Sequence, residues 1–353
     1  MKLILRKIKN IYYKQTKKMI TNLTFGHIPY LLNKVGIIRE LKPAFISTMT
    51  KSGTWYNREV FYFYNELIKG NAPKNIYDNM ISKKMKIPPM IRSNCKETGY
   101  DAFFISHWAC PNFQNYLGSN KMLWNDLVFY CIHNYPSYFG QIPSRISPKM
   151  LEKRYNTQYN WNPERNIDAK LVYLYRNPLD QSVSYFTSIQ KMKQQELRYR
   201  INNKGKKILI KDVTDYIRTV GMDMYIKHFL PYKLMKEQFP DNFLLIKYES
   251  MVRNPEKTFR DIFEFLGIDI TRRNNTEYFN KALEMSSKEN IIKLENAYGR
   301  SIANQFLEDQ TAERQLRDGK ISKWKSFFNS KDLEYINKRL NQFGLSLDNF
   351  TIE

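Results

Sequence analysis

Thr50-Lys51-Ser52-Gly53-Thr54 packs a lysine, three hydroxyls and a glycine into five residues. The stretch follows a short apolar, β-prone run, residues 44–48 (AFIST), and precedes a helical pattern over about residues 55–69. A strand–turn–helix junction exposes backbone N–H groups that have no partner within the helix, at the positive end of its dipole. Glycine lets the backbone approach an anion closely, and lysine and hydroxyl side chains add donors. The expected chemistry is phosphate binding. The stretch is not the GxxxxGK[ST] nucleotide loop, because here the glycine follows the lysine. A second constellation lies in LYRNPLDQSVSYF, where Arg176 ends a β-prone run and Ser184 comes about two turns into the next helix. Both can face one anion near that helix start; the structural alternative is an ion pair between Arg176 and Asp180.

Elements that could position these groups alternate along the chain. Residues 44–48, 102–106, 170–175 and 243–247 read as strands, and helices are expected from Pro178 and over Pro255 to about Leu266. Asn177-Pro178-Leu179-Asp180 reads as N-cap, first-turn proline and first-turn acid, and Asn254-Pro255 repeats the first two parts. Strands alternating with helices imply a parallel sheet with helices on both faces. Residues 108–161 interrupt the pattern with twelve aromatics in 54 residues, which marks them as an insertion. The expected division is a basic extension over 1–42 and a single domain over 43–353.

Charge is the other prominent feature. The 353 residues carry a formal +23, with ten Lys/Arg against one Glu in residues 1–42 and eight against one in 191–211. Such a balance suits nucleic acid, an anionic membrane or a polyanionic ligand, or solvated surface alone. No zinc-finger or RNA-binding signature is present, so nucleic acid is not expected. No run approaches the roughly 18 apolar residues of a membrane span, and the N-terminus lacks the apolar core of a secretory signal. Leu5, Ile8, Tyr12, Met19 and Leu23 recur at roughly helical spacing among basic residues, which fits a helix lying on an anionic membrane surface or packed on the domain. Three cysteines, Cys95, Cys110 and Cys131, without CxxC spacing indicate neither a disulfide framework nor a zinc site. A cytoplasmic location, with peripheral contact at the inner face of a membrane as an option, follows as the expectation.

Four segments in order, KSGT, RNPLDQSVSYF, KYESMVRNPEKTFRDIFEFLGI and RDGKISKWKSFF, resemble the PAPS-dependent sulfotransferase family over roughly residues 43–345. The resemblance implies a three-layer α/β/α fold, P-loop NTPase-like, and a donor substrate, 3′-phosphoadenosine 5′-phosphosulfate (PAPS), released as PAP, with no metal. It assigns the 5′-phosphosulfate to Lys51, Ser52, Gly53 and Thr54. Trp55 stands where the family usually has threonine and could contribute only its N–H. The 3′-phosphate falls to Arg176 and Ser184, and to Arg317 and Gly319 of a segment in which Asp318 replaces the family's lysine. Tyr248 matches a tyrosine near the adenine, and Lys288 replaces an aromatic over that ring. His107, in FISHWACP, resembles the family's general base; Glu59 and Glu66 are weaker candidates for that role.

The implied reaction is sulfuryl transfer to an acceptor hydroxyl, with His107 removing the proton and Lys51 stabilising the leaving phosphate. The aromatic-rich insertion favours a carbohydrate or glycolipid acceptor by ring stacking. The alternatives are a phenol or alcohol acceptor and a catalytically impaired nucleotide-binding protein. By position, 191–211 could be a lid or a contact for an anionic acceptor.

Overall fold

The structure, a computed structural model, describes residues 43–82, 87, 90–93, 98–100, 102–107, 122, 170–191, 198–201, 206–298 and 321–350. The N-terminal extension 1–42, the aromatic-rich stretch 108–161 apart from Met122, the three cysteines, Arg317 and Gly319 lie outside the described residues.

The described residues open with β1 (Pro43–Thr48), α1 (Thr54–Ile68), α2 (Pro73–Ser82), β2 (Met90–Arg92) and β3 (Ala102–Ser106). They continue with β4 (Leu171–Tyr175), α3 (Pro178–Lys191), β5 (Tyr199–Ile201) and β6 (Lys207–Leu209). A short α4 (Val213–Tyr216) passes through a π-helical turn (Ile217–Gly221) into α5 (Met222–Gln238). Then come β7 (Phe243–Lys247), α6 (Tyr248–Arg253), α7 (Pro255–Leu266), α8 (Arg273–Met285), α9 (Lys288–Tyr298) and α10 (Ser330–Asn341). All four strands expected from the sequence form.

They share one sheet in the order β2-β3-β1-β4-β7. β3, β1, β4 and β7 run parallel, with Ile46 opposite both Ile105 and Val172, and Leu174 opposite Ile246. Only the edge strand β2 is antiparallel. The sequence analysis did not find β2, whose three residues are too few to show a period. The strand pair β5–β6 was missed as well; it lies in the basic stretch 191–211.

Alternation along the strands builds two cores. Ala44, Ile46, Phe103, Ile105, Val172 and Leu174 face α1, α2, α7 and α8, where Phe61, Phe63, Phe259 and Phe263 are fully buried. Tyr173, Tyr175 and Phe243 face α3, α5 and α10. The result is the expected helix–sheet–helix sandwich. Central strands buried on both faces have to read as continuous apolar runs, as Leu171–Tyr175 does.

The two asparagine–proline starts behave as read. Asn177 Oδ1 accepts from the Leu179 N–H at 2.9 Å, and Asn254 Oδ1 from the Lys257 N–H at 3.1 Å. α7 ends on Gly267 at φ 74°, a left-handed cap that suits glycine. α1 begins differently: its N-cap, Gly53, has no side-chain cap, and its first turn holds no acidic residue.

Phe263 holds the first core together, with ring centroids 4.9 Å from Phe61, 4.8 Å from Tyr64 and 5.3 Å from Phe279. Phe263→Ala is expected to destabilise the protein by about 3–5 kcal/mol, measured by urea unfolding. A loss below about 1 kcal/mol would show that this layer repacks freely.

Candidate active site

Each parallel strand delivers a site residue at its carboxyl end. Lys51 follows β1, His107 follows β3, Arg176 follows β4 and Tyr248 follows β7. From β1 the chain moves to β3 on one side and then to β4 on the other, so the strand order reverses at β1. In open α/β sheets the ligand crevice lies outside the carboxyl ends at such a reversal.

The loop after β1 is held in an unusual backbone shape. Lys51 has φ 65° and Gly53 φ 89°, both left-handed. A lysine in that region carries strain, and such strain clusters at functional sites. Gly53 is required on two grounds. Beyond its φ, a Cβ would sit 2.4 Å from Met251 Cε and 3.1 Å from the Tyr248 ring. The loop is tied down from both sides. Ser52 N–H donates to the Met49 carbonyl at 3.1 Å. Gln181 Nε2 donates to the Thr50 carbonyl at 3.2 Å and to Thr50 Oγ1 at 3.1 Å. The first-turn N–H groups of α1 stand at the end of this loop, uncompensated by cap or acid. Such a helix start is suited to binding an anion through backbone N–H groups.

Arg176 is buried at the loop's β4 side. Its Nη1 donates to the Lys51 carbonyl at 3.4 Å, and its guanidinium lies 4.6 Å from the Tyr248 ring centroid. The structure thus brings Lys51, Gly53, Arg176 and Tyr248 together. The suggested Arg176–Asp180 pair does not form. Asp180 instead accepts the backbone N–H groups of Ser322 at 2.7 Å and Trp324 at 3.1 Å, anchoring the segment that follows Gly319. The carboxylate beside Arg176 is Glu249, with Oε1 at 3.9 Å from Nε. Burial raises the Glu249 pKa, while the Asn177 N–H bonded to it and the Arg176 charge pull it back. Sequence reasoning missed Glu249, although it sits next to Tyr248 in KYES. Ser184 is half-buried on α3, with its distance from the helix start as expected.

His107 sits on the other side of β1. Its Nδ1 lies 2.8 Å from the Thr48 carbonyl and 3.1 Å from Thr48 Oγ1. Thr48 Oγ1 in turn lies 2.7 Å from Thr54 Oγ1. A carbonyl can only accept, so Nδ1 carries the hydrogen and Nε2 keeps its lone pair. The ring is therefore oriented as a base. Burial lowers its pKa to about 4; the Thr48 hydrogen bond opposes that shift, and the Arg58 and Lys51 charges reinforce it. The side chain is exposed on one side, which weakens the effect of the dry protein behind it. The two cations act in the same direction regardless. Thr48 was missed by sequence reasoning, since a strand threonine carries no signal of its own.

The glutamate candidates fall elsewhere. Glu59 is buried beside Glu295, which together with desolvation holds its pKa well above the usual carboxylate value. Glu66 bonds Lys69 and Asn71 at the far end of α1. A second histidine, His228 on α5, pairs its Nδ1 with the Tyr173 hydroxyl at 2.9 Å, and burial lowers its pKa to about 3. Among the described residues no group of three or more His, Cys, Asp or Glu is placed to hold a metal ion. No described helix is long and apolar enough to cross a membrane.

A bare helix start after the first strand of a parallel α/β sheet, with Lys51 in its loop and His107 across β1, makes this crevice the candidate site for an anionic ligand. A family model described as the sulfotransferase domain matches residues 41–343, and the chain belongs to that family. Relatives include a flavonol 3-sulfotransferase of Flaveria bidentis, 25% identical over half of this chain and 55% of its own length. Cytosolic sulfotransferase 16 of Arabidopsis thaliana is 27% identical over 46% of each chain. The chain spans about half the length of these curated relatives. A solved retinol dehydratase in complex with androsterone and PAP is similar over 85% of this chain and 80% of its own, at 15% identity and a TM-score of 0.45.

His107 and His228 have an ordinary pKa of 6.5 and values of about 4 and 3 in the fold. The unfolded chain therefore binds protons more readily than the folded one between those limits. The stability these neutral rings contribute is present above pH 6.5 and is lost as the pH falls toward 4 and then 3. Thermal melts from pH 7.5 to 4.5 should show falling stability, with a shallower slope in His228→Gln. Parallel slopes would mean that His228 is not the group titrating.

Proposed function

We propose that the protein transfers a sulfuryl group from PAPS to an acceptor hydroxyl. The observation that carries this reading is the left-handed loop and uncapped, acid-free start of α1, set between Lys51 and a histidine whose Nε2 is free to take a proton. Membership of the sulfotransferase family supports it.

Lys51, Ser52, Thr54 and the N–H groups at Gly53, Thr54 and Trp55 hold the 5′-phosphosulfate. The cradle fits such a group: it is backbone-lined, and glycine is the residue that leaves room for Tyr248 and Met251 beside it. Arg176 and Ser184 take the 3′-phosphate, joined by Arg317 and Gly319. Tyr248, whose ring lies 4.6 Å from the Arg176 guanidinium, meets the adenine.

In the transfer, the acceptor oxygen forms a bond to sulfur while the bond from sulfur to the bridging phosphate oxygen breaks. The electron pair of the broken bond stays on the 5′-phosphate, and PAP is the product. His107 Nε2 takes the acceptor proton. Lys51 balances charge growing on the bridging oxygen, and the loop N–H groups hold the other phosphate oxygens in a preorganised shell. Positioning of the two substrates supplies much of the rest.

Some of the curated relatives are named for flavonols, which favours a phenolic acceptor over the saccharide or glycolipid suggested by the aromatic-rich stretch. Relatives named as cytosolic support a cytoplasmic location.

PAP should raise the melting temperature where ATP, lacking the 3′-phosphate, does not; ligand at ~100 times its Kd stabilises by about 2.7 kcal/mol. Lys51→Ala and His107→Ala should each lower transfer of labelled sulfate by ~10²–10⁴-fold. A His107→Ala variant with full turnover would remove the histidine from the mechanism. The base must be neutral to act, so kcat/KM should hold from pH 7 down and fall only as the pH nears the histidine's value of about 4. A midpoint near 6.5 would place the working base in an ordinary solvent-like setting.

A further inference from the structure

Arg58 is an enclosed cation without an anion. It lies one turn after Thr54 on α1 and is only 9% exposed. Its Nε donates to the Ile105 carbonyl at 2.9 Å, and its guanidinium carbon stands 4.7 Å from the centroid of the Trp55 ring. β2 pairs with β3 only as far as Phe104, one residue short of Ile105. Binding that carbonyl uses one of the five guanidinium donors. Among the described residues, nothing bonds the other four, and no carboxylate pairs with Arg58. Several other described arginines do have one, among them Arg176 with Glu249, Arg218 with Asp332, Arg260 with Glu256 and Arg339 with Asp223.

Holding most of an arginine side chain out of water without a counter-ion is unfavourable, and desolvation draws the Arg58 pKa down to about 10. A purely structural bond to Ile105 needs neither the charge nor the planar fork. The place of Arg58 in the sheet says which ligand it serves. β3 and β4 flank β1 on opposite sides. Arg176 marks the β4 side, where the donor nucleotide extends. Arg58 bonds β3 two residues before His107, and its charge is felt at that ring. It is therefore on the side from which the acceptor meets the base. Trp55 lies against the guanidinium, which favours one fixed orientation for bidentate hydrogen bonding to an oxyanion.

We propose that Arg58 binds an oxyanion carried by the acceptor, so that the acceptor is a hydroxy compound bearing a carboxylate, sulfate or phosphate near the hydroxyl that is modified. This rests on the sulfuryl-transfer reading of the site. The rival source of the oxyanion is the sulfuryl group in transit.

The test uses the full chain saturated with PAP and a panel of phenolic and sugar hydroxy acids, each paired with its methyl ester, 4-hydroxybenzoate among them. Calorimetry should show at least one acid bound about tenfold or more tightly than its ester, and none bound more weakly. Arg58→Gln should collapse that preference, and Arg58→Lys should keep part of it through charge without the fork. An undiminished PAP-induced rise in melting temperature shows that each variant folds with its donor site intact; if Arg58→Gln does not fold, Arg58→Lys decides alone. Acids bound no better than esters across the whole panel, or acid and ester weakened equally in the folded variant, would overturn the proposal. An equal fall in turnover for acid and ester with binding unchanged would assign Arg58 to the sulfuryl group instead, which also overturns it. The binding measurements do not depend on turnover. An Arg58-dependent acid preference with no sulfate transfer to any acceptor would sink the transferase reading and leave the anion site standing.

Discussion

The structure turns on one uncompensated helix start. α1 opens after a left-handed turn with no capping side chain and no acidic residue in its first turn. Three other helices are capped: α3, α7 and α10 each begin on an asparagine whose side chain accepts a backbone N–H, and α10 adds Asp332 to complete a reciprocal box. α8 also starts without a side-chain cap or first-turn acid, but only the bare start of α1 follows a left-handed turn at the carboxyl end of a central parallel strand, which makes it the candidate anion site. The rest of the local design keeps the bare end rigid. Gly53 passes under Tyr248 and Met251, Gln181 holds Thr50, and β1 lies between two parallel neighbours that cannot shift without disturbing both cores.

That constraint explains why the other site residues come from such distant points in the chain. Parallel strands end on the same side, so a residue placed just past each end faces the same crevice. His107, Arg176 and Tyr248 need no long-range sequence signal to converge; the sheet order brings them together around Lys51. The same topology separates their tasks. The β4 and β7 side carries Arg176, Tyr248 and Glu249, and the β3 side carries His107 and Arg58. Thr48 joins the halves, since its carbonyl and hydroxyl meet His107 while its hydroxyl also meets Thr54 at the start of α1.

What could be read in the sequence follows the same physics. Runs such as KLVYLY and FLLIK were legible because a strand covered on both faces has to be apolar throughout. The helix starts at Asn177 and Asn254 were legible because capping is local. KSGT was legible because its residue types and its place after a strand pointed the same way. Glu249, Thr48 and Asp180 were not, because each acts through a partner remote in sequence. Asp180 shows the limit well. As a first-turn acid it was a reasonable partner for Arg176, yet its carboxylate is taken by two backbone N–H groups more than 140 residues away. Arg58 looked like one more helix arginine until its lack of a carboxylate was visible.

The proposed choice of histidine over glutamate as the base also follows from charge. The proposed donor brings several negative charges into a site that has no metal ligand cluster among its described residues to offset them. A carboxylate facing the sulfuryl oxygens would add repulsion before any bond moved. The glutamates of α1 and α6 are placed otherwise: Glu59 is buried in α1 and feels the charge of Glu295, Glu66 lies at the far end of α1, and Glu249 is beside Arg176. Desolvation on its protein side and the nearby Arg58 and Lys51 lower the His107 pKa and favour the neutral ring at physiological pH. In the proposed transfer it becomes positive only when it takes the acceptor proton, as negative charge passes to the leaving phosphate. The lowered pKa makes it a weaker base than an ordinary imidazole, so its advantage lies in charge timing and fixed orientation rather than in proton affinity. The Thr48 carbonyl supplies the orientation: it holds the Nδ1 hydrogen and leaves Nε2 as the only site on the ring where the proton can land.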